Sequence, residues 1–453
     1  MSAFSFLIRV YLHGRLAALD WAGRKFPVAG RVRIGSRRGV FLNTPQLVEE
    51  VLVQRADEFR KGPALRVYSR PLLGNGLLTS ESDDHRKHRR LVAPAFAHHR
   101  VPRYADVMSQ LTKEACSAWP ETGIVAMHRE MTRLTLAIVG RTLFDVDLLE
   151  DADEIGKHIT TLIQFATAKT RSLIPFPYEW PTPANRRARR AVDGLNATVY
   201  SLIERRRASG EDKGDLLSML LLSRDEDGNT LSDEEVRDEA MTLFVAGHET
   251  TANAATWSLY MLARQTELQD ALRRQIQGAV GSRSITYADL PKIPLALEVF
   301  KETLRLYPPA YIVAREALHD IKLSEIEISK GELLILSEYL VHRNAKYFPD
   351  PLRFDPSRFS PENEPRIPKY AYFPFGAGRR VCIGNQFALM EGQILLGTII
   401  QHARISLADE RELESDPLMT LRPKGKAKMR VERIRQATRV GEGDFSGDLI
   451  LRT

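Results

Sequence analysis

Phe375-Gly376-Ala377-Gly378-Arg379-Arg380-Val381-Cys382-Ile383-Gly384 is the stretch on which the reading of this chain turns. A cysteine is framed by glycines, two arginines precede it, and a helical period follows from Asn385. Glycine lets backbone take dihedrals that other residues avoid and pass close to a bulky group. Arg379, Arg380 and the N-terminus of the following helix favour a thiolate over a thiol. A single thiolate in a tight loop suits one axial ligand to haem iron, with the loop N–H groups tuning the sulfur. The bland alternative is a structural cysteine in a glycine-rich turn.

Upstream, Ser232 and Glu235 form a capping-box pattern that starts a helix running to about Arg264, roughly 45–50 Å at 1.5 Å per residue. Midway stands Ala246-Gly247-His248-Glu249-Thr250-Thr251. A glycine, an acid and two β-branched hydroxyl residues are poor choices inside a helix, and such rule-breaking marks function. Gly247 would let a flat cofactor or O2 approach. Thr250 would bond back to the preceding turn and open the helix to water, and Glu249 with Thr250 would deliver protons. A zinc reading as His-Glu-x-x-His fails because position 252 is alanine. Glu302-Thr303-Leu304-Arg305 is an i, i+3 ion pair on a helix ending at Tyr307-Pro308-Pro309, and Phe354-Asp355-Pro356-Ser357-Arg358-Phe359 follows it. His85-Arg86-Lys87-His88-Arg89-Arg90 opens an early helix.

Phe375, Gly378, Arg380, Cys382 and Gly384, with these further motifs in order, resemble the cytochrome P-450 family over nearly the whole chain. The resemblance implies a mainly α fold with small β-sheets, one domain over residues 1–440 with a tail at 441–453, and haem b between the long central helix and the C-terminal helix. It implies Cys382 as the axial ligand of the haem iron, with Phe375 and Arg380 beside the cofactor. Glu249 and Thr250 would feed protons on the distal side. Glu302, Arg305 and Arg358 would form a buried trio supporting the cysteine loop, with Ser357 standing where the family usually has glutamate. Arg89 and Arg315 would hold the haem propionates, as would His85, which stands where many members have tryptophan. The implied activity is a haem-thiolate monooxygenase inserting one oxygen atom of O2 into an unactivated C–H or C=C bond of an apolar substrate. Its electrons would come from a ferredoxin or flavodoxin and an NAD(P)H reductase. Rival readings are a haem-thiolate isomerase or peroxygenase without a redox partner, and a non-catalytic haem sensor. By the same resemblance the substrate pocket is lined within residues 62–78, 165–178, 243–246, 310–313 and 418–419, including Phe165, Leu173, Ile174, Phe176, Phe244, Ile312 and Val313.

Composition agrees with a large globular domain: 453 residues, 43% hydrophobic and 27% charged. Length alone suggests two or three domains, but no linker-like run or internal repeat divides the chain. Two cysteines, Cys116 and Cys382, exclude a disulfide framework and fit a reducing compartment. The apolar run near the N-terminus is broken by Arg9 and too short to span a bilayer. Residues 4–19 read as a helix on the core edge or on a membrane surface. The expected location is cytoplasmic. A net charge of +7 invites a nucleic-acid reading, but the basic residues are dispersed, and a face for an acidic electron-transfer partner suits them better. Arg86, Lys87, Arg90 and Arg379 are the candidates for that face. Asp225 to Ser232 fails as a calcium loop because its glycine comes too early.

Alternation predicts a hairpin over residues 28–44 with its turn at 36–39. Helical periods follow at 45–59, 84–97, 103–119, 126–145, 152–172, 184–208 and 214–223. Residues 311–341 turn strand-like, the last helix spans about 385–402, and short strands follow near 419–421 and 429–431.

Overall fold

A computed structural model describes residues 5–34, 37–97, 99–172, 176–223 and 230–434. The tail at 441–453, Leu173, Ile174 and the stretch 225–229 lie outside the described residues.

The capping box forms as its residues require. Ser232 Oγ accepts from Glu235 N–H at 3.2 Å, and Ser232 N–H donates to Glu235 Oε2 at 2.9 Å. The helix it starts runs Asp233–Arg264, about 48 Å at the standard rise. It packs beside the helices Met127–Leu143, Pro183–Ser209 and Asn385–His402 around one large apolar core. The helical periods hold at 105–118, 127–143, 152–171, 183–209 and 216–222, and the last helix has the expected bounds. Thr266–Val280 has no counterpart in the sequence reading, and the helix expected over 4–19 is two, Ser5–His13 and Arg15–Lys25, separated at Gly14. Phe6, Ala18, Leu19 and Ala22 bury against Val32, Phe41 and Ile335, so this N-terminal pair covers the core edge. Among the described residues no helix is long and apolar enough to cross a membrane.

The expected hairpin is Ala29–Ile34 paired with Arg37–Leu42, so residues 37–39 belong to a strand and not to the turn; Gly39 faces Val32. A five-stranded sheet continues from it through Leu333–Leu336, Val313–Ala317 and Phe59–Lys61. Its last pairing puts Lys61 directly opposite Arg315. Directly opposed residues share a face, so this register brings two cations from distant sequence to one side of the sheet. Met419 lies in a turn; the strand expected there is Leu421–Pro423.

Candidate active site

A cavity of about 2120 Å³ opens between the central helix, the sheet and the cysteine loop. Single ligand pockets usually measure about 300–1,000 Å³, so this chamber has room for a large cofactor and a sizeable substrate together.

The cysteine loop forms its floor. Gly376 and Gly378 have φ of +71° and +68°. A Cβ on Gly378 would lie 2.0 Å from the Leu52 carbonyl oxygen, so only glycine fits. Cys382 N–H donates to Phe375 O at 2.9 Å, closing the turn. Cys382 is open to the cavity, whereas Cys116 is buried in the helical core, where burial pushes its thiol up to about 12. Burial also raises the Cys382 thiol; the Gly384 N–H and Arg89 oppose it. Arg379 and Arg380 are expected to favour the thiolate, but the cation that acts on the sulfur is Arg89, and both loop arginines are held by other partners. Arg379 pairs with Asp57; Arg380 donates to Glu81 at 2.6 Å and to Phe59 O at 3.2 Å. A coordinated metal ion would deprotonate the thiol without their help.

Beneath the loop, Arg305 grips Glu302 in a side-on pair at 2.6 and 2.7 Å, both residues fully buried. Arg305 also donates to the carbonyls of His342, Pro351 and Arg353, and Glu302 accepts from Asp355 N–H at 2.8 Å. Arg358 is the looser third member, its Nε 3.6 Å from Glu302. His342 links this knot to the loop. Burial lowers it to about 3, so the ring is neutral, and its Nε2 accepts from Phe373 N–H at 2.9 Å. Nothing in the local sequence marked His342; its partners come from two other segments.

One side of the cavity is cationic. His85, Arg89, Arg315 and Arg380 all line it, and so does Lys61, which sequence reasoning missed. Lys61 donates to the carbonyls of Leu77 and Ser80 at 2.9 and 2.6 Å, and burial lowers its ammonium to about 7. Arg89 donates to Val381 O at 2.8 Å, tying its helix to the cysteine loop. Burial lowers Arg315 to about 10 and His85 to about 3. Glu81 sits among these groups and accepts from Arg380, while burial pushes Glu338 well above the usual range, toward its neutral form. The surplus of buried positive charge fits an anionic group with more than one carboxylate.

On the opposite wall, Glu249 and Thr250 line the cavity, but the helix around them stays α throughout. Thr250 Oγ1 donates to Ala246 O at 2.8 Å without opening it. A Cβ on Gly247 would lie 3.0 Å from Val139 Cγ2, so this glycine also serves close packing with the neighbouring helix. Glu249 Oε1 accepts from Thr420 Oγ1 at 2.9 Å and from Asn253 Nδ2 at 3.1 Å, and lies 3.8 Å from Arg422 Nε. Burial alone would raise its carboxyl. Arg422, then His248 and His128, hold it below the usual value, so it stays ionised. His128 Nε2 in turn bonds Asn253 Oδ1 at 2.9 Å.

The pocket segments correspond in part. Ile312, Val313, Leu418, Met419 and much of 62–78 line the cavity. Phe165, Phe176 and Phe244 do not. The lining edge of the Phe165 helix is Leu162, Ile163, Ala166 and Thr170, which leaves Phe165 packed on Tyr178. Phe176 is half exposed and stacks on Trp180, and Phe244 stacks on Phe144. The basic surface residues are not a bare positive patch: Arg86 pairs with Asp83, Lys87 with Glu235 at 2.8 Å, and Arg379 with Asp57.

The family model "Cytochrome P450" matches residues 8–431. Cyclooctatin synthase of Streptomyces melanosporofaciens is 34% identical over 393 residues, covering 86% of this chain and 85% of the relative. Pentalenene oxygenase of Streptomyces avermitilis is 31% identical, covering 86% and 87%. Cyclooctat-9-en-7-ol 5-monooxygenase of S. melanosporofaciens is 34% identical, covering 83% and 82%. The chain belongs to the cytochrome P450 family. It is a haem-thiolate monooxygenase that carries haem b and depends on O2 and a redox partner.

Proposed function

We propose that Cys382 Sγ holds the haem iron, and that this chain hydroxylates or epoxidises a large apolar molecule at the far wall of the same cavity. The observation that carries the reading is that, of the two cysteines, Cys382 opens to the cavity and Cys116 lies in the core. When bound, the haem supplies the activation of dioxygen and the transfer of one oxygen atom to substrate carbon. The chain supplies the rest. Arg89, Arg315, Arg380, His85 and Lys61 hold the propionates, and Phe375 packs at the cofactor edge. Glu302, Arg305 and Arg358 brace the cysteine loop through His342. Glu249, kept ionised by Arg422, accepts protons and passes them toward the Thr250 hydroxyl.

The apolar lining favours substrates of fatty-acid, terpenoid, steroid or macrolide type. Relatives named for pentalenene and cyclooctat-9-en-7-ol support such a substrate. A ferredoxin or flavodoxin with its NAD(P)H reductase would supply electrons, and the cytoplasm is the proposed location. The ionised Glu249 beside Thr250 favours an oxygenase over an isomerase, a peroxygenase or a sensor.

The test is the absorption band of the reduced carbonyl complex. Cys382→Ala should lose the band typical of thiolate ligation, and Cys116→Ala should keep it. The opposite result would overturn the assignment.

A further inference from the structure

Thr420 stands where the apolar wall of the cavity meets Glu249. It lines the cavity with Leu418 and Met419, in the turn before the strand Leu421–Pro423. That turn is tied on several sides. Leu418 O accepts from Tyr311 Oη at 2.7 Å and from Arg15 Nη1 at 2.9 Å. Leu418 N–H donates to Thr420 O at 3.0 Å, and Leu421 N–H donates to Pro309 O at 2.9 Å. The Thr420 hydroxyl is therefore presented from a fixed backbone.

The two carboxyl oxygens of Glu249 are used unequally. Oε1 accepts from Thr420 Oγ1 at 2.9 Å and from Asn253 Nδ2 at 3.1 Å. Arg422 Nε lies 3.8 Å from the same oxygen, an ion pair too long for a hydrogen bond. Among the described residues no hydrogen bond reaches Oε2. That oxygen is not sealed in the core like those of Glu391, and Glu249 lines the cavity, so Oε2 opens into it. Asn253 stands one turn further along the same helix, so its bond travels with Glu249 and cannot fix the carboxyl against the facing wall. Among the described residues, Thr420 alone hydrogen-bonds this carboxyl from another element. Thr250 does not share the task, because its hydroxyl donates to Ala246 O.

We propose that Thr420 is a positioning residue for proton delivery: its hydroxyl clamps Glu249 Oε1, so that Oε2 is the oxygen that takes up a proton and releases it into the cavity beside Thr250. The carboxyl ends each transfer as the carboxylate it began. This role rests on Glu249 being the proton-delivery acid proposed above, and it specifies what aims that acid. Leu418 and Met419 lie in the same turn, so the wall that meets substrate and the clamp on the acid are one piece of backbone. A hydroxyl gives a stronger hydrogen bond to an ionised carboxylate than to a neutral carboxyl, so the clamp depends on charge. The charged and titratable groups that act on Glu249 are Arg422 from the strand after the turn, His248 on its own helix and His128 on the helix Met127–Leu143.

Haem-loaded wild type, Thr420→Val, Thr420→Ala and Thr420→Ser test it, each with Glu249 intact and as Glu249→Gln. The first readout is chemical denaturation across pH. Loss of the donor raises the Glu249 carboxyl toward its ordinary value. Thr420→Val should therefore lower stability above that value, and the deficit should shrink as pH falls and Glu249 takes up its proton. It should also shrink in the Glu249→Gln background. The second readout is oxygen consumption with a surrogate ferredoxin, its reductase, NADPH and decane as the apolar probe. The ratio of peroxide released to oxygen reduced further should rise about tenfold in Thr420→Val, the size of one hydrogen bond to a charged group. Thr420→Ser should restore both readouts, and Thr420→Ala should match Thr420→Val. A stability deficit that ignores both pH and the Glu249→Gln background would overturn the clamp. So would a peroxide ratio unchanged in Thr420→Val while Glu249→Gln raises it, which leaves Glu249 as the acid. An unchanged ratio in Glu249→Gln would remove Glu249 from proton delivery and the clamp with it. A defect in Thr420→Val that Thr420→Ala lacks would trace to packing and count against the clamp. Should Thr420→Val not load haem, Thr420→Ala against Thr420→Ser decides. All these outcomes leave the Cys382 assignment to its own spectral test.

Discussion

The cysteine loop and the Glu249-Thr250 turn face each other across one cavity, yet they are built in opposite ways. The loop is irregular, and its constraints are local: Gly378 has φ of +68° and backbone oxygen 2.0 Å from where a Cβ would sit. The helical turn is regular, and its constraints are remote: Glu249 takes its character from Thr420 and Arg422, more than 170 residues on, and from His128 on another helix. Strained backbone advertises itself in sequence through glycine. A buried charge advertises itself only through partners that the fold brings in.

The largest expected effect tests the local half of that contrast. Gly378→Ala should destabilise the protein by about 3 kcal/mol or more, because strained φ and a clash with unyielding backbone add. Gly247→Ala meets only the tip of Val139 and gains helix propensity, so its change should stay within about 1 kcal/mol. Chemical denaturation of both variants checks this. Equal losses would mean that the two glycines serve the same purpose.

Next in size is the remote half. Arg422→Leu leaves the Glu249 carboxylate buried without its cation and should cost about 3 kcal/mol near neutral pH. The folded Glu249 carboxyl lies below its ordinary value. The stabilisation is therefore present above that ordinary value and is lost as pH falls through the folded one. The gap between wild type and variant should thus narrow in acid, and adding Glu249→Gln should recover part of the loss. A gap independent of pH would mean that Arg422 acts by packing alone.

A smaller effect concerns the cavity's cationic side. With its ammonium lowered to about 7, Lys61 must take up a proton when a propionate settles beside it at higher pH. Haem affinity should be flat below about pH 7 and fall as pH rises above it. Lys61→Met should flatten that fall, measured as haem transfer to a competing acceptor protein. A wild-type affinity that does not change with pH would remove Lys61 from the cofactor cradle.

The smallest effect is at the surface. Arg86 and Lys87 already have acidic partners, so reversing either charge should slow ferredoxin-driven reduction by no more than about threefold at low salt. Stopped-flow reduction rates check this; a tenfold drop would show that the pairs open when the partner docks.

Much of the architecture was legible because helices carry a 3.6-residue period and caps of short range. The central helix begins at Ser232 and Glu235 as their pattern requires, and the last helix has its expected bounds. The hairpin turn was misplaced into residues 37–39 because Arg37, Arg38 and Gly39 read as turn-forming, whereas strand pairing decides. The site divides along the same line. Cys382, Glu249 and Thr250 stand in patterns that local chemistry marks, whereas Glu302 and Arg305 were legible only through the family resemblance. Lys61, His342 and Arg422 stand in unmarked sequence. The sequence by itself determined the irregular cysteine loop, the long helix and the family they belong to, because backbone strain and helical periodicity act over a few residues. Only the tertiary structure decided which charges meet. Strand register set Lys61 against Arg315, and the packing of distant segments set Arg422 beside Glu249. Electrostatics act through space, and the order of residues along the chain does not record those distances.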